Sequence, residues 1–250
     1  MDPIPGADAA LPVLTSGVIQ IGVPLSDQQV SLFTGFGAIL LDWNQKMNLT
    51  TITEPTAVQV RHFLDSLTVL KAFPEQVQNG QETARLIDVG AGAGLPGIPL
   101  AIARTNLQIT LLEATQKKCR FLEHVIGELG LSNARVICGR AEEVAHRSDQ
   151  RSTYDFVVAR AVASLATLSE LCLPFARLGG EVIAMKKLGV DEEVVSAKKA
   201  ISVLGGQLLS PMLVRLPVID EDRQLIRIRK VRPTPGTYPR RAGLPAKSPL

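Results

Sequence analysis

The run ARLIDV at 84–89 passes directly into Gly90, Gly92 and Gly94, and then into LPGIPL. An apolar strand that ends in alternating glycines exposes backbone bare of side chains. Such backbone can take positive φ and lie against another molecule. A helix starting beyond the loop would add unpaired N–H groups to the same place. The chain is therefore constrained to hold at least one strand–loop–helix unit with a ligand-ready turn.

The rest of the chain repeats that unit. Apolar runs recur at 109–114, 134–139, 154–159 and 181–186. Helical segments lie between them, clearest at 116–129 ahead of Gly130 and at 191–204 ahead of Gly205. Strands alternating with helices predict right-handed βαβ units and a parallel sheet covered on both faces. The ending differs. Runs at 208–216 and 224–231 are joined by PVIDED, too short for a crossover helix, so they should pair as an antiparallel hairpin.

Ahead of the sheet, residues 25–78 read as a helical extension. Ser26 and Gln29 fit a capping box. Val30, Phe33, Phe36, Leu40, Trp43 and Met47 then recur at helical spacing, which puts Trp43 in the core. Thr53-Glu54-Pro55 marks a second helix start, with Val60, Phe63, Leu67 and Leu70 along one face. Asn79-Gly80 turns the chain into a main domain spanning 79–232. Residues 1–24 are expected to be a loose arm. Residues 233–250, PTPGTYPRRAGLPAKSPL, are expected to be a flexible tail, too rich in proline and glycine for regular structure.

No apolar stretch is long enough to span a bilayer, and residues 1–20 lack the pattern of a signal peptide. Cys119, Cys138 and Cys172 show no CxxC spacing, which predicts neither a metal site nor a disulfide framework and fits a reducing cytoplasm. Charge is unevenly spread. No Lys or Arg precedes Lys46, whereas Arg223 to Leu250 hold eight basic residues and no acid. Such a tail suits a polyanion such as nucleic acid; its plainer reading is a solvated segment.

In a doubly wound sheet, ligands bind at the carboxyl ends of the strands. Two cofactors fit a glycine loop there: a nicotinamide dinucleotide or S-adenosylmethionine. Gly92-x-Gly94-x-x-Gly97 spells GxGxxG, weak evidence by itself. Four details favour S-adenosylmethionine. Asp88, two residues before Gly90, would attract an ammonium group and oppose a pyrophosphate. A turn beginning at Gly90 meets Leu95 where the dinucleotide pattern needs its third glycine. Glu113 ends the second strand, where a carboxylate can accept both ribose hydroxyls. Gly139-Arg140-Ala141-Glu142 follows the third strand, where Glu142 or a neighbouring amide can meet the adenine edge. Glu142 equally suits the first turn of a helix as an acid. A non-catalytic cofactor or RNA sensor, and an NAD-dependent oxidoreductase, remain as other classes.

DVGAGAGLPGIPLAI resembles the signature of the glucose-inhibited division protein B family, the small-subunit (16S) ribosomal RNA guanine-N7 methyltransferase G family. The resemblance extends to Trp43-Asn44, Asn48-Leu49-Thr50, Arg61-His62, Asp65-Ser66, Lys118-x-Arg120-Phe121-Leu122, Arg140-x-Glu142-Glu143 and Arg160-Ala161-x-Ala163-Ser164-Leu165. It implies a class I S-adenosylmethionine-dependent methyltransferase fold, a Rossmann-like α/β sheet of seven strands with the last antiparallel, behind a helical extension. Its cofactor positions fall on Gly90, Leu95, Ala141, Glu142 and Arg160; the loop argument adds Asp88, Gly92 and Glu113. It implies small-subunit ribosomal RNA as partner; the sequence itself makes no obligate protein partner evident and suggests no membrane or metal. Expected RNA contacts are Arg61, Lys186, Lys187, Arg240 and Arg241, with Arg160 and Lys186 positioning the base. The chain lacks the Asn/Asp-Pro-Pro-Tyr run of amine methyltransferases and the proline-preceded cysteine of cytosine-C5 enzymes.

Overall fold

The computed structural model describes residues 11–160, 163–219 and 221–250. The first ten residues of the expected arm, and Ala161 of the family signature, lie outside them. From residue 11 the expected loose arm is folded. Pro12 opens helix α1 (Pro12–Gln20), and Leu14, Val18, Ile21 and Val23 are buried. Its sequence hid this because a nine-residue helix carries too few periodic positions to read.

Helix α2 (Asp27–Met47) starts at the predicted capping box. Gln29 N–H donates to Ser26 Oγ at 3.3 Å, and Ser26 N–H donates to Gln29 Oε1 at 2.9 Å. Glu54 caps α3 (Pro55–Val58), which widens into a π-helical turn, Gln59–Leu64. The chain continues through α4 (Asp65–Leu67), a tighter turn at Thr68–Ala72, and α5 (Glu75–Gln78). Phe63 packs between Phe33 and Phe36, with ring centroids 5.1 and 5.5 Å away. Trp43 packs at a tilt against Phe121, with ring centroids 5.6 Å apart, joining the extension to the main domain.

The domain alternates as predicted: β1 (Ala84–Val89), α6 (Gly97–Ala103), β2 (Leu107–Glu113), α7 (Gln116–Leu129), β3 (Ala134–Cys138), α8 (Ala141–Val144), β4 (Tyr154–Arg160), α9 (Leu165–Cys172), β5 (Ala176–Lys187) and α10 (Asp191–Val203). Strands β6 (Gly206–Leu208), β7 (Met212–Leu216) and β8 (Glu221–Lys230) follow, and α11 (Leu244–Lys247) closes the chain. The sheet runs β3-β2-β1-β4-β5-β8-β6, with β7 also paired to β8. Strands β1 to β5 are parallel, and β8 is antiparallel to β5, β6 and β7. Among the described residues the sheet has eight strands, one more than the resemblance implies. The surplus is a divided edge, because β6 and β7 both pair with the ten-residue β8.

Both sheet faces are buried, so β1 reads as a nearly continuous apolar run. Leu86 points into the core shared with the helical extension, and Ile87 into the core beneath α9 and α10. The tail packs against the domain through side-chain hydrogen bonds. Lys230, 1% exposed, donates to Leu173 O and Thr234 Oγ1, and Arg151 donates to the carbonyls of Thr234, Pro235 and Tyr238. A proline-rich chain cannot form ladders, so side chains of the domain satisfy its carbonyls instead. The cysteine expectation is also corrected. Cys119 and Cys138 form a disulfide, with Cα atoms 5.8 Å apart, tying α7 to the end of β3. Spacing rules miss it because the β2–β3 register and the α7 crossover bring the two together.

Candidate active site

The carboxyl ends of β1 to β5 line one edge of the sheet and carry Gly90, Glu113, Gly139, Arg160 and Lys187. In the first loop, Gly90, Gly92 and Gly94 have φ of 77°, 57° and 81°. Gly90 and Ala91 N–H both donate to Leu112 O, folding the loop over the end of β2. Leu95 is buried beneath it. Gly92 N–H donates to Glu113 Oε2 at 3.0 Å, and Thr115 N–H to Glu113 Oε1 at 2.8 Å. Each carboxylate oxygen keeps a further lone pair for a hydroxyl.

Asp88 differs from the expectation of an acid displayed at a strand end. It is fully buried. Its Oδ2 accepts from Gly97 N–H at 2.8 Å, while Oδ1 has no hydrogen-bond partner. Burial pushes its pKa up to about 7, against the pull of the Gly97 amide and the Arg160 charge. A buried carboxylate oxygen without a donor is costly, and cations or N–H donors remove that cost. The orphaned oxygen, the folded-back glycine backbone and the oriented Glu113 together fit a ligand with an ammonium and a diol.

Ala141 and Glu142 open α8 after the third strand. Glu142 Oε1 accepts from Gly243 N–H at 2.9 Å. One carboxylate oxygen is thus turned toward the tail, which favours the backbone of this segment for an adenine edge.

Arg160 is the hub between domain and extension. Its Nη1 donates to Arg61 O at 3.0 Å and Asp65 Oδ2 at 3.2 Å, and its Nη2 lies 3.2 Å from His62 Nδ1. A guanidinium has donors only, so Nδ1 accepts and Nε2–H donates to Thr50 Oγ1 at 2.9 Å. Burial and the Arg160 charge lower the His62 pKa to about 4, keeping the ring neutral. The π-helical turn fits this site, since a widened turn presents Arg61 O and His62 to one guanidinium. From the sequence Arg223 reads only as part of the basic tail. It donates to Asp65 Oδ1 at 3.1 Å and pairs with Glu221 at 2.9 Å. Arg61 pairs with the other Glu221 oxygen at 2.7 Å. Arg61, Asp65, Arg160, Glu221 and Arg223 line a cavity of about 350 Å³ with Ile52, Met185, Lys186 and Lys187. A cavity of about 440 Å³, lined by Lys71 and Arg177, lies at the opposite, amino ends of the strands, away from the glycine loop.

The expected RNA contacts divide. Lys186 Nζ is held by Ala163 O at 2.9 Å and Glu193 Oε1 at 2.8 Å, so it braces the loop after β4. Lys187 and Arg241 are exposed. Arg240, expected to touch RNA, is instead committed to Glu170, which is 0% exposed.

The family described as GidB, rRNA small subunit methyltransferase G, matches residues 29–225. A ribosomal RNA small subunit methyltransferase G from Desulforamulus reducens is 45% identical over 90% of this chain and 92% of its own. One from Pelotomaculum thermopropionicum is 46% identical over 95% and 97%. Among solved structures, a mutant of MtNAS in complex with S-adenosylmethionine shares 14% identity, with a TM-score of 0.53 over 88% of this chain and 77% of that one. A mutant 16S rRNA (adenine(1408)-N(1))-methyltransferase from Catenulisporales acidiphilia shares 17% identity, with a TM-score of 0.50 over 63% and 89%. These two likenesses bear on the fold. The match over most of the domain and extension, with the high identity to full-length relatives, shows that the chain belongs to the GidB family of small-subunit rRNA methyltransferases.

Proposed function

We propose that this protein methylates N7 of one guanine in small-subunit (16S) ribosomal RNA, using S-adenosylmethionine, in the cytoplasm. The observation that carries the reading is the buried Asp88, with its orphaned Oδ1, set beside the oriented Glu113 and the Arg160 hub at one sheet edge. When bound, the cofactor supplies a methyl group activated on a sulfonium. Asp88 Oδ1 would take its ammonium, Glu113 its ribose hydroxyls, and the backbone at Ala141–Glu142 its adenine edge, with Gly90, Gly92 and Leu95 forming the wall.

Guanine N7 carries a lone pair in the ring plane and no proton, so its alkylation needs no general base. The site matches that modest requirement. The one buried histidine at the hub spends Nδ1 on Arg160 and stays neutral. What remains is alignment, worth several orders of magnitude when the geometry is held. Arg160 is fixed by three acceptors and suits that task. The methylated base is a cation, and Asp65 and Glu221 place carboxylates on the same cavity wall. Arg61, Lys187, Arg241 and Lys247 supply positive charge for the RNA backbone around a base drawn from its stack.

Glu113→Ala should weaken adenosylmethionine binding by about 1.5–3 kcal/mol, the value of hydrogen bonds to a charged acceptor, with NAD bound by neither protein. Calorimetry reads it; unchanged affinity in the folded variant removes the ribose assignment. A pH effect follows from Asp88. Its folded pKa, about 7, stands above the ordinary value of 3.8. The free protein therefore holds a proton that the unfolded chain releases, and stability falls as pH rises from about 4 to about 7. A cationic ligand needs the carboxylate, so affinity should rise with pH up to about 7 and then level off. Below that pH, binding should release one proton, seen as buffer-dependent heat, and Asp88→Asn should abolish the release. A proton count of zero in the unaltered protein contradicts the assignment. The reading as a whole is tested by tritium transfer from methyl-labelled adenosylmethionine to naked RNA and to isolated small subunits. Label in either supports it; binding without transfer points to a sensor.

A further inference from the structure

We propose that the C-terminal segment 233–250 is a strap that positions the third cofactor loop, with Arg240 as its anchor and the Gly243 amide as its point of action. The proposal rests on the reading of Ala141–Glu142 as the adenine-side segment.

Helix α8 is four residues long and buries only Val144, with Ala145 just beyond it. So short a helix has little intrinsic stability and takes its position from what it touches. What it touches on its outer side is the tail. Glu142 Oε1 accepts from Gly243 N–H at 2.9 Å. His146 Nε2 donates to Pro239 O at 2.8 Å. Arg151 Nη1 donates to Ala145 O at 3.0 Å and to Tyr238 O at 2.9 Å, joining the end of α8 to the tail through one guanidinium.

The strap is itself fastened to the domain. Glu170, fully buried on α9, accepts from Arg240 backbone N–H at 2.8 Å, from Nε at 2.9 Å and from Nη2 at 2.7 Å. The same Nη2 donates to Ser248 O at 2.8 Å, and Thr167 Oγ1 donates to Pro245 O at 3.0 Å. Arg240 and the Thr167–Pro245 contact thus tie the strap down on both sides of Gly243, which fixes where its amide points. The basic tail is in this respect a structural part of the cofactor site, and its RNA-facing charge is left to Arg241 and Lys247.

The test is cofactor binding without RNA, using adenosylhomocysteine in calorimetry on full-length protein, with methyl transfer measured alongside. Arg240→Ala should weaken binding roughly tenfold, the equivalent of one charged hydrogen bond. It should raise KM for adenosylmethionine and leave kcat at saturating cofactor within about twofold, since the change acts on cofactor positioning alone. Arg240→Lys should recover part of the loss. Glu142→Gln keeps an oxygen that accepts from Gly243 and should recover most of the Glu142→Ala loss. Glu142→Ala, at a partly exposed position that folding tolerates, should reproduce the Arg240→Ala loss, and the double variant should be no worse than either. Unchanged affinity in Glu142→Ala and Arg240→Ala, or additive losses in the double variant, overturns the strap. If Arg240→Ala does not fold, Glu142→Ala against Glu142→Gln decides by the same criterion. No binding of adenosylhomocysteine by the unaltered protein overturns the cofactor reading itself, and the strap with it.

Discussion

Gly97→Ala is expected to lower the unfolding free energy by about 3–5 kcal/mol, combining overpacking with loss of the buried Gly97–Asp88 hydrogen bond. A Cβ at Gly97 would collide with the Leu111 side chain and come within 2.9 Å of Asp88 Oδ2. Either the helix retreats or the carboxylate does, and the Gly97–Asp88 bond is lost in both cases. For a domain of this size the shift corresponds to a fall of about 6–20 °C in Tm. Gly92→Ala is the informative contrast. Its added Cβ meets nothing nearer than Gly90 O at 3.7 Å, so the cost is that of positive φ alone, roughly 1–2 kcal/mol. Thermal melts of the two variants measure the difference. Equal melts would mean that the Asp88–Gly97 contact does not hold the loop.

Arg160→Ala should have the larger effect on the reaction. It removes the partner shared by Arg61 O, Asp65 and His62, and leaves Asp65 with Arg223 alone. Losing these partly buried charged hydrogen bonds, with Asp65 still held by Arg223, costs about 1.5–3 kcal/mol. Loss of alignment should slow single-turnover methyl transfer by about 10²-fold or more. Arg160→Lys keeps the charge but not the planar fork, and should recover stability better than rate. A rate for Arg160→Ala within a few fold of the unaltered protein would show that the hub serves folding and not catalysis.

The sequence was most legible where period and punctuation agree. The capping box at Ser26 and Gln29, the helix 116–129 before Gly130, and the antiparallel close are all local signals, and the structure contains each. Arg61, His62 and Asp65 are spaced to fall on one helical turn, so their proximity is a local property as well. What they meet was less legible. Arg223 reaches Asp65 through the pairing of β8 with β5, where it lies opposite Lys187, and no local pattern encodes that register. Gly97 looked like a third glycine of a weak motif; its reason is the approach of its amide to Asp88, nine residues earlier. Tail composition misled for a related reason. Prolines exclude ladders, yet Arg151, Lys230 and Glu170 satisfy the tail from outside, and such partners are far away in sequence. The Cys119–Cys138 pair escaped notice in the same way.

The central claim is methylation at guanine N7, and its most direct test is chemical. An N7-methylated guanine is a fixed cation whose imidazole ring and glycosidic bond are weakened. Borohydride followed by aniline should therefore break small-subunit RNA at that nucleotide. RNA from cells lacking the protein should stay intact there, and purified protein with adenosylmethionine should restore the break on naked RNA or on isolated small subunits. A methyl group recovered on an exocyclic amine or a ribose, with no strand break, would contradict the N7 assignment.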